Sequence, residues 1–431
     1  MTFEQSLKYL EKLTIYGIKT GLAHTKLIAR SLGNPQNFYP SILIGGTNGK
    51  GSTAAYIESI LRESGFKTGL FTSPHLVDVR ERIRINGKLI SKDLFKESIS
   101  DIKNAVIKLE QAGIINESPT FFEVLTLAAF LSFKKENIEF AVVEVGMGGK
   151  NDCTNILEPI VSAVTNVSFD HQQYLGKTLS EITREKSGIF RKNRIAVAGK
   201  TSERTNSILK EKAEEIGAKF ISFKDVEIKK NGEEFGVVFE GKKIVFPPPP
   251  LLGKHQIYNA ALAVLICAKL MEMGFNISEE KIKKGIKKCR WDGRIQKIME
   301  APETFLDGAH NIDGIKKLSD FTKSLKGKKV LVFSALKDKP IKKMVEILEK
   351  DFSEIIFTKI EMKRGAEKED FKKIWEGKKF LFVKEPFEAL LKARKKAKEN
   401  GIVIACGSLY LVGAILEKLK KNKATLKGTG L

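Results

Sequence analysis

Ser41-Ile-Leu-Ile-Gly-Gly-Thr-Asn-Gly-Lys-Gly-Ser52 joins a short apolar run to a glycine-rich turn and then to a helical segment. Glycines in such a turn let backbone N–H groups converge on a phosphate without interference from a Cβ atom. Lys50 can then reach the terminal phosphates of a nucleotide, and Ser52 can lie near a bound Mg²⁺. A helix that begins near Ser52 points its positive end at the same phosphates. The stretch therefore predicts a nucleotide-binding strand, loop and helix.

This pattern departs from the usual phosphate-binding loop at two positions. Ile44 stands where the first glycine is usual, and Gly51 separates the lysine from the hydroxyl residue. Asn48-Gly49 by itself is compatible with an ordinary turn. The strand pattern before the loop and the helical pattern after it favour nucleotide binding over that alternative.

The composition is that of a globular protein with more than one domain. The 431 residues suffice for two or three domains, and 42% of them are hydrophobic and 29% charged. No apolar run approaches the length of a membrane span, and residues 1–12 lack the apolar core of a signal peptide. The four cysteines are scattered, which predicts neither a zinc site nor a disulfide framework. We therefore expect a cytoplasmic protein without a membrane partner.

The formal net charge of +23 has more than one possible meaning. A basic face can bind nucleic acid, and a basic surface also attracts polyanionic small molecules such as ATP or a polycarboxylate. The lysines are spread along nearly the whole chain and intermixed with glutamate, as reported for proteins of hyperthermophiles. We therefore assign most of the lysines to a solvated surface and expect no nucleic-acid partner.

Apolar runs alternate with helical segments along most of the chain, which predicts an α/β protein. The clearest runs of the first half are 41–44, 68–71, 139–145, 160–167 and 195–198, and residues 226–246 predict a hairpin that turns at Asn231-Gly232. In the second half, strands are expected at 305–306, 330–333, 354–357, 380–383 and 402–405. We predict a P-loop-type ATPase domain with a mostly parallel sheet over residues 1–295, and a smaller Rossmann-like α/β domain over residues 296–431.

Polar residues at predicted strand ends are candidates for chemistry. Glu144 follows the apolar run 140–143, and ligands of open α/β sheets bind at the carboxyl ends of strands. A carboxylate beside phosphates is the usual Mg²⁺ environment, although Glu144 could instead cap a helix or form an ion pair. Asp307-Gly-Ala-His-Asn311 follows a strand in the second half, and Asn311 could simply be a helix N-cap. Lys186 lies in the polar segment 184–187, whose composition is typical of an exposed helix face.

Eleven segments in matching order, spread over nearly the full length, resemble a folylpolyglutamate synthase of the Mur ligase superfamily. They are Gly46-Thr-Asn-Gly-Lys-Gly-Ser52, Thr72-Ser-Pro-His-Leu76, Glu81-Arg-Ile-Arg-Ile-Asn-Gly87, Thr120-Phe-Phe-Glu123, Glu144-Val-Gly-Met-Gly-Gly149, Asp170-His171, Glu185-Lys186, His255-Gln-Ile-Tyr-Asn-Ala260, Trp291-Asp-Gly-Arg294, Asp307-Gly-Ala-His-Asn311 and Cys406-Gly-Ser-Leu-Tyr410. The resemblance leaves open whether the chain also has dihydrofolate synthase activity.

The resemblance implies roles for individual residues. The loop that holds the ATP phosphates would be Thr47, Asn48, Gly49, Lys50, Gly51 and Ser52, and further ATP contacts would come from Asn259, Arg294, Asp307 and His310. The Mg²⁺ ligands would be Ser73, Glu144 and His171. Lys186 matches the lysine that this family carbamylates with CO₂, and catalysis would involve Lys50, Lys186 and His310. Substrate would be bound by Arg82, Phe122, Asn151, Asp152, Cys153, Ser408 and the region 21–23.

The implied reaction is ATP-dependent amide formation in which the γ-phosphate moves to a folate carboxylate and the amine of L-glutamate then displaces it. ATP and Mg²⁺ are the implied cofactors, and we expect a monomer whose two domains close over the substrates. One departure is Lys150, where family members often have arginine, and lysine lacks the bidentate fork of a guanidinium.

Two other functions compete with this one. A peptidoglycan-precursor ligase of the same superfamily would carry an extra N-terminal domain, and only 45 residues precede Gly46. A basic P-loop ATPase that binds nucleic acid would need a basic stripe with stacking aromatics, which the two Trp and seven Tyr do not form.

Overall fold

The computed structural model describes residues 1–17, 19, 21–376 and 380–428, which divide into two compact units. The first unit comprises Met1–Ser73, Arg80–Pro250 and Tyr258–Cys289, and the second comprises Pro74–Val79, Leu251–Ile257 and the residues from Arg290 onward. The domain boundary between residues 295 and 296 stays a prediction. No helix in the described part of the chain is both long and apolar enough to cross a membrane.

The first unit is built around a large sheet. Its strands are β1 (Ser41–Gly45), β2 (Thr68–Phe71), β3 (Ile83–Ile85), β4 (Lys88–Leu89), β5 (Phe140–Glu144), β6 (Val161–Val164), β7 (Ile195–Ala198) and β8 (Lys219–Ser222), followed by β9 (Glu227–Asn231), β10 (Glu234–Phe239) and β11 (Lys242–Phe246) in a separate sheet. Its helices are α1 (Phe3–Leu13), α2 (Ala23–Ser31), α3 (Lys50–Glu63), α4 (Lys92–Gln111), α5 (Phe121–Lys135), α6 (Gln172–Leu175), α7 (Leu179–Ser187), α8 (Glu203–Glu215), α9 (His255–Glu272) and α10 (Glu279–Lys288), of which α9 begins in the second unit.

The large sheet has the strand order β4-β3-β2-β5-β1-β6-β7-β8. Its pairs are parallel except for β2–β3 and β3–β4, which are antiparallel and form one edge. Strands β1, β5 and β6 are buried along their whole length, which explains why they read as continuous apolar runs. The prediction of an α/β protein with a mostly parallel sheet is therefore confirmed. The strands β3 and β4 were not predicted, because neither is longer than three residues.

Residues 226–246 form three antiparallel strands, so the prediction of a single hairpin is wrong. The first turn joins Asn231 to Glu234, close to the predicted position. A second turn at Glu240 and Gly241 joins β10 to β11, with φ angles of 46° and 73°. Two successive residues at positive φ match the twist of a tight hairpin, although glutamate is not a usual residue there. That unusual residue explains why the second turn was missed.

The second unit contains a five-stranded sheet with the order β12-β13-β16-β14-β15. Its strands are β12 (Gln296–Met299), β13 (Glu303–Leu306), β14 (Lys329–Phe333), β15 (Glu354–Phe357) and β16 (Ile402–Cys406), and its helices are α11 (Ile312–Ser324), α12 (Ile341–Leu348), α13 (Lys368–Ile374), α14 (Pro386–Ala397) and α15 (Leu409–Gly428). Helices α11, α12 and α13 contribute to one core cluster, and α14 and α15 contribute to another. The sheet is parallel except for the edge pair β12–β13, which agrees with the predicted α/β class.

The strand predicted at residues 380–383 is wrong in extent. Only Phe382 forms a parallel bridge, with Phe357, and the backbone bonds at that point join Phe357 N to Leu381 O and Val383 N to Phe357 O. The aromatic rings explain the apolar pattern, since Phe380 lies with its centroid 5.7 Å from that of Phe357. The apolar residues therefore serve packing against β15 rather than a continuous ladder.

Candidate functional site

The loop between β1 and α3 has the backbone geometry that the sequence predicted. Helix α3 begins at Lys50, two residues before the expected start, with Gly49 as its N-cap at a φ of 84°. Gly46 has a φ of 132°, and a β-carbon there would overlap Oγ1 of Thr165. Both positions therefore require glycine. The N–H groups at the start of α3 have no intrahelical acceptor, so this end of the helix suits an anion.

Residues directly after β6 hold this loop in place. Oγ1 of Thr165 donates to Asn48 O at 2.7 Å, and Asn48 N donates to Oδ1 of Asn166 at 2.8 Å. Thr47 N donates to Asn166 O at 2.9 Å. Sequence reasoning missed Thr165 and Asn166, although two polar residues at the end of an apolar run were a usable signal. The end of β6 thus positions the predicted phosphate-binding loop.

Three of the predicted site residues of the first unit lie together at the ends of β1, β2 and β5. Nζ of Lys50 donates to Thr47 O at 3.2 Å and lies 4.0 Å from Oε1 of Glu144. Ser73 N donates to Oε2 of Glu144 at 3.0 Å. The Glu144 side chain is only 6% exposed, so its charge acts in a poorly solvated environment. Lys50 is thus the partner that the predicted ion pair of Glu144 requires. The Glu144 carboxylate also faces the loop between β1 and α3, as expected for a metal ligand.

His171, the third predicted metal ligand, lies at the start of the short helix α6. It is the N-cap residue of α6 with a φ of 50°, and its Nε2 lies 3.9 Å from Oδ1 of Asp170. Within the described ranges, no group of three or more His, Cys, Asp and Glu side chains could hold a metal ion by itself. Mg²⁺ usually takes one or two carboxylates and completes its coordination with phosphate oxygens and water. The donor set around Glu144 and Ser73 therefore fits a divalent ion that arrives with a nucleotide.

Lys186 is buried, and the expectation of an exposed helix lysine is wrong. Lys186 is 3% exposed, and its Nζ donates to Gly46 O at 3.0 Å. Burial, followed by the nearby charge of Lys50, lowers the pKa of Lys186 from 10.5 to about 7. The local sequence could not show this, because α7 carries charged neighbours and its buried face is decided by packing on the loop. A neutral amine is thus available beside the phosphate-binding loop near neutral pH.

The predicted substrate residues of the first unit fall into two groups. Asp152 accepts hydrogen bonds from Met147 N at 2.8 Å and Thr154 N at 3.0 Å, and burial raises its pKa despite these bonds. Cys153 is adjacent and buried, and Asn151 N donates to Oε1 of Glu185 at 3.2 Å. Residues 151–153 therefore lie beside the glycine-rich segment 146–149 that follows β5.

Aromatic residues at the start of α5 form the other group. The ring centroid of Phe122 lies 5.8 Å from that of Phe71, and the guanidinium carbon of Arg82 lies 5.3 Å from the ring centroid of Phe121. Arg82 is 8% exposed. The arrangement offers an apolar ring and a cation at the end of β2.

The second unit brings Arg294, Asp307 and His310 together around the end of β13. Oδ2 of Asp307 accepts from Ile295 N and Oδ1 from Ala309 N, both at 2.9 Å. Burial raises the pKa of Asp307, and the Arg294 charge opposes that shift. Nδ1 of His310 lies 2.8 Å from Gly308 O. Two backbone donors thus fix the Asp307 carboxylate, and the charge of the nearby Arg294 favours its ionised form.

Two other residues of the second unit cap helices. Asn311 is the N-cap of α11, where its Oδ1 accepts from Gly314 N at 2.9 Å, so the cap alternative is confirmed. Ser408 lies two residues after the end of β16, and its Oγ accepts from Tyr410 N at 3.1 Å. Because β13 and β16 are paired neighbours, Asp307 and Ser408 lie at the same edge of this sheet.

Comparison with known proteins assigns this fold to a class. Residues 85–267 match the Mur ligase middle domain, and residues 293–409 match the Mur ligase, glutamate ligase domain. The fold is therefore that of a Mur-type ligase.

A relative from Bacillus subtilis, a dihydrofolate synthase/folylpolyglutamate synthase, is 34% identical over 94% of this chain and 96% of its own length. The chain belongs to this family and is an ATP-dependent glutamate ligase of the folylpolyglutamate synthase type. The structure of E. coli FolC in complex with DHPP and ADP aligns with a TM-score of 0.88 at 30% identity, covering 98% of this chain and 99% of that one. A bifunctional folylpolyglutamate synthase/dihydrofolate synthase with Mn, AMPPNP and L-glutamate bound aligns with a TM-score of 0.86 at 29% identity, covering 97% and 98%.

Replacing Glu144 with Gln should sharply weaken the dependence of activity on divalent metal. The substitution keeps the shape and removes the charge that lies 4.0 Å from Lys50, so the metal concentration at half-maximal rate should rise by about tenfold or more. A metal titration of ATP-dependent turnover measures this. Glu139→Gln is the matched control, because Glu139 is exposed and precedes the same strand. Superimposable titrations of Glu144→Gln and the parent would show that Glu144 is structural.

Replacing Lys186 with Met should abolish activity and stabilise the fold, with a larger gain at pH 6 than at pH 9. A folded-state pKa of about 7, below 10.5, means that unfolding takes up a proton between these values. The cost of burying the lysine is therefore greatest below about pH 7 and fades as the pH rises towards 10.5.

Thermal unfolding in buffer purged of CO₂ checks this, with an expected gain in Tm at pH 6 on the order of a few degrees. Lys177→Met, which replaces an exposed lysine, should change Tm little at either pH. A gain of equal size at pH 6 and pH 9 would contradict the assignment of a depressed pKa.

Proposed function

We propose that this ligase adds L-glutamate to tetrahydrofolate, or to its glutamylated forms, through an acyl phosphate made from ATP. The observation that carries the proposal is the convergence of Lys50, Glu144 and the buried Lys186 on the loop between β1 and α3. Phosphoryl transfer needs mainly positioning and compensation of charge, and this arrangement supplies a loop of backbone donors, a cation and a carboxylate.

In this proposal, the residues Thr47, Asn48, Gly49, Lys50, Gly51 and Ser52 hold the ATP phosphates. Lys50 lies at the start of α3 and neutralises charge on the transferred phosphoryl group. The folate carboxylate attacks the γ-phosphorus, ADP leaves, and the glutamate amine then attacks the acyl carbon and expels phosphate. A proton leaves the amine as the amide forms. Exclusion of water protects the acyl phosphate from hydrolysis.

We further propose that Mg²⁺ is the divalent ion that accompanies ATP. Glu144, Ser73 and His171 would hold it, and it would supply neutralisation of phosphate charge. A structural relative binds Mn with AMPPNP, which supports a divalent ion. Glu144 and Ser73 are already joined by a hydrogen bond of 3.0 Å.

The family resemblance also leads us to propose that Lys186 carries a carbamate. Carbamate formation joins the neutral amine to CO₂ with loss of a proton, so a pKa of about 7 favours it near neutral pH. The product is an anion, which suits a site that receives divalent cations, whereas an ammonium would be repelled.

Exchange with ¹³C-bicarbonate should therefore give a carbamate resonance in the parent bound to AMPPNP and Mg²⁺. Lys186→Ala should lack the resonance and lose activity by about a hundredfold or more, because a metal-facing charge is removed. A short carboxylic acid should restore part of that activity by occupying the vacated space. A parent without the resonance, together with a fully active Lys186→Ala, would remove Lys186 from the mechanism.

The remaining roles are proposals of the same kind. We assign Asn259, Arg294, Asp307 and His310 to ATP, with His310 also taking part in catalysis, and Arg82, Phe122, Asn151, Asp152, Cys153 and Ser408 to folate and glutamate. Support comes from the buried carboxylate of Asp307 with its two backbone donors, and from the aromatic ring of Phe122, which suits a flat heterocycle. The proposed domains are residues 1–295 and 296–431.

A second activity, addition of glutamate to dihydropteroate, is favoured by one observation. The relatives from Bacillus subtilis and Escherichia coli that cover nearly the whole chain both carry the name dihydrofolate synthase/folylpolyglutamate synthase. Dihydropteroate presents an aromatic carboxylate and tetrahydrofolate presents a carboxylate of its glutamate, and the same phosphoryl transfer can activate either one.

Two further expectations accompany the proposed function. The four cysteines are free thiols in the structure, which suits the reducing cytoplasm. We also propose that the enzyme acts as a monomer.

An assay of ATP-dependent incorporation of labelled L-glutamate tests the proposed function. Tetrahydrofolate should accept glutamate with release of one ADP for each amide bond, and dihydropteroate should accept it if the second activity is present. Lys50→Ala should lose turnover by orders of magnitude with little change in Tm, since the loop backbone is retained. ATP hydrolysis without amide formation on any folate or pteroate would contradict the proposal.

A further inference from the structure

The segment that follows β5 packs directly against the end of α7. A β-carbon at Gly149 would lie 2.7 Å from Glu185 O and 2.8 Å from Lys186 O, so the two backbones are in close contact. Lys150 N donates to Glu185 O at 2.9 Å. The residues 151–153, which we assign to folate, therefore lie beside the helix that carries Lys186.

Asn155 bridges these two segments with its side-chain amide. It lies in a short 3₁₀ helix (Cys153–Ile156) and is 6% exposed. Its Nδ2 donates to Lys150 O and to Gly188 O, both at 3.0 Å. Because Lys150 and Gly188 lie on opposite sides of the contact, the two hydrogen bonds of Nδ2 join one side to the other.

Arg191 closes the bridge from the connection between α7 and β7. Its Nη2 donates to Asn155 O at 2.8 Å, to Oδ1 of Asn155 at 2.9 Å and to Leu157 O at 2.9 Å. Its Nη1 donates to Gly188 O at 3.3 Å and to Phe190 O at 3.2 Å. A guanidinium presents several N–H donors in a planar fork, so it can bind a group of carbonyl oxygens that an ammonium cannot satisfy together.

A surface ion pair is the simpler explanation of an arginine in a connecting segment. Nε of Arg191 lies 3.3 Å from Oε1 of Glu158, but the glutamate side chain is 71% exposed, whereas that of Arg191 is 17% exposed. Exposed ion pairs contribute little to stability. The bonds from Arg191 to the oxygens of Asn155 and Gly188 are better shielded, and they reach both sides of the contact. The ion pair therefore does not account for the position of Arg191.

Both ends of the bridge carry residues of the proposed site. Asn155 N donates to Asp152 O at 2.8 Å, and Asp152 is one of the residues that we assign to folate. Gly188 lies two residues after Lys186, whose Nζ donates to Gly46 O at 3.0 Å. The loop between β1 and α3 is held separately, by residues that follow β6. Loosening of the bridge would therefore shift the folate residues and Lys186 relative to each other and leave the nucleotide loop in place.

We propose that Arg191, acting through Asn155, is a positioning residue that holds the folate-binding residues and Lys186 at a fixed separation. The inference rests on the proposed function, which assigns residues 151–153 to folate and a carbamate to Lys186. Arg191 contacts neither substrate nor ATP in this proposal. Its contribution is preorganisation, since a displacement of about 1 Å at a reacting group can lower the rate by about a hundredfold.

Steady-state kinetics of Arg191→Lys and Asn155→Asp, with tetrahydrofolate, ATP and L-glutamate varied in turn, test the proposal. Arg191→Lys keeps the charge and loses the planar fork, and Asn155→Asp keeps the shape and loses both Nδ2 donors. Each should raise KM for tetrahydrofolate by about fivefold to tenfold and lower kcat by about tenfold, while KM for ATP stays within about twofold. KM does not depend on how much of the enzyme is folded, so lower stability alone would not change it. If Asn155→Asp does not fold, the milder Arg191→Lys carries the test.

The carbamate supplies a second readout. In both variants, the ¹³C-bicarbonate concentration that gives half of the Lys186 carbamate resonance, with AMPPNP and Mg²⁺ bound, should rise by about fivefold because the amine is less well positioned. The double variant should show little further change, since both substitutions disrupt the same contacts. Arg194→Lys is the matched control, because Arg194 is an exposed arginine of the same connection between α7 and β7. It should resemble the parent in both readouts.

Unchanged KM for tetrahydrofolate and an unchanged bicarbonate midpoint in Arg191→Lys would show a merely structural role and overturn the inference, even if Tm falls. A shift in only one of these two readouts would overturn the proposed coupling of the folate residues to Lys186. Equal rises in KM for tetrahydrofolate and for ATP would overturn it as well, because they would indicate general loosening of the site. A parent that forms no amide or shows no carbamate resonance would instead overturn the proposed function, so the failures are distinguishable.

Discussion

The site of the first unit depends on the close approach of the loop between β1 and α3 to the residues after β6. A β-carbon at Gly46 would overlap Oγ1 of Thr165, and the same hydroxyl donates to Asn48 O at 2.7 Å. Because the loop is tied to its neighbouring strand, its N–H groups do not need to be ordered when an anion binds. Preorganised donors of this kind cost no reorganisation at the moment of reaction.

The close approach also accounts for the charge balance around the loop. Nζ of Lys186 donates to Gly46 O at 3.0 Å from a fully buried position, and Lys50 lies near enough to oppose a second positive charge. Two ammonium groups in a poorly solvated place are unfavourable, so one of them loses its proton more readily. The same packing that fixes the backbone thus makes Lys186 chemically different from the exposed lysines, and strongly shifted pKa values cluster at functional sites.

The second unit uses a different means to hold its carboxylate. Asp307 directly follows β13 and accepts two backbone hydrogen bonds of 2.9 Å, so its orientation does not depend on a flexible partner. Asn311 serves as the cap of α11, and Ser408 follows the neighbouring strand β16. In both units, the polar residues therefore lie where parallel strands end, which is where open α/β sheets bind ligands.

The sequence by itself determined the α/β class, the glycine loop, the lysine after it and Glu144 at a strand end, because these depend on local periodicity and on residues with special backbone freedom. It also placed the polar cluster at 307–311. Only the tertiary structure decided that Lys186 is buried, that Thr165 and Asn166 hold the loop, and that residues 226–246 make three strands. Each of these depends on contacts between segments far apart in the chain, such as the 140 positions between Gly46 and Lys186, and one sequence carries no local signal for such contacts.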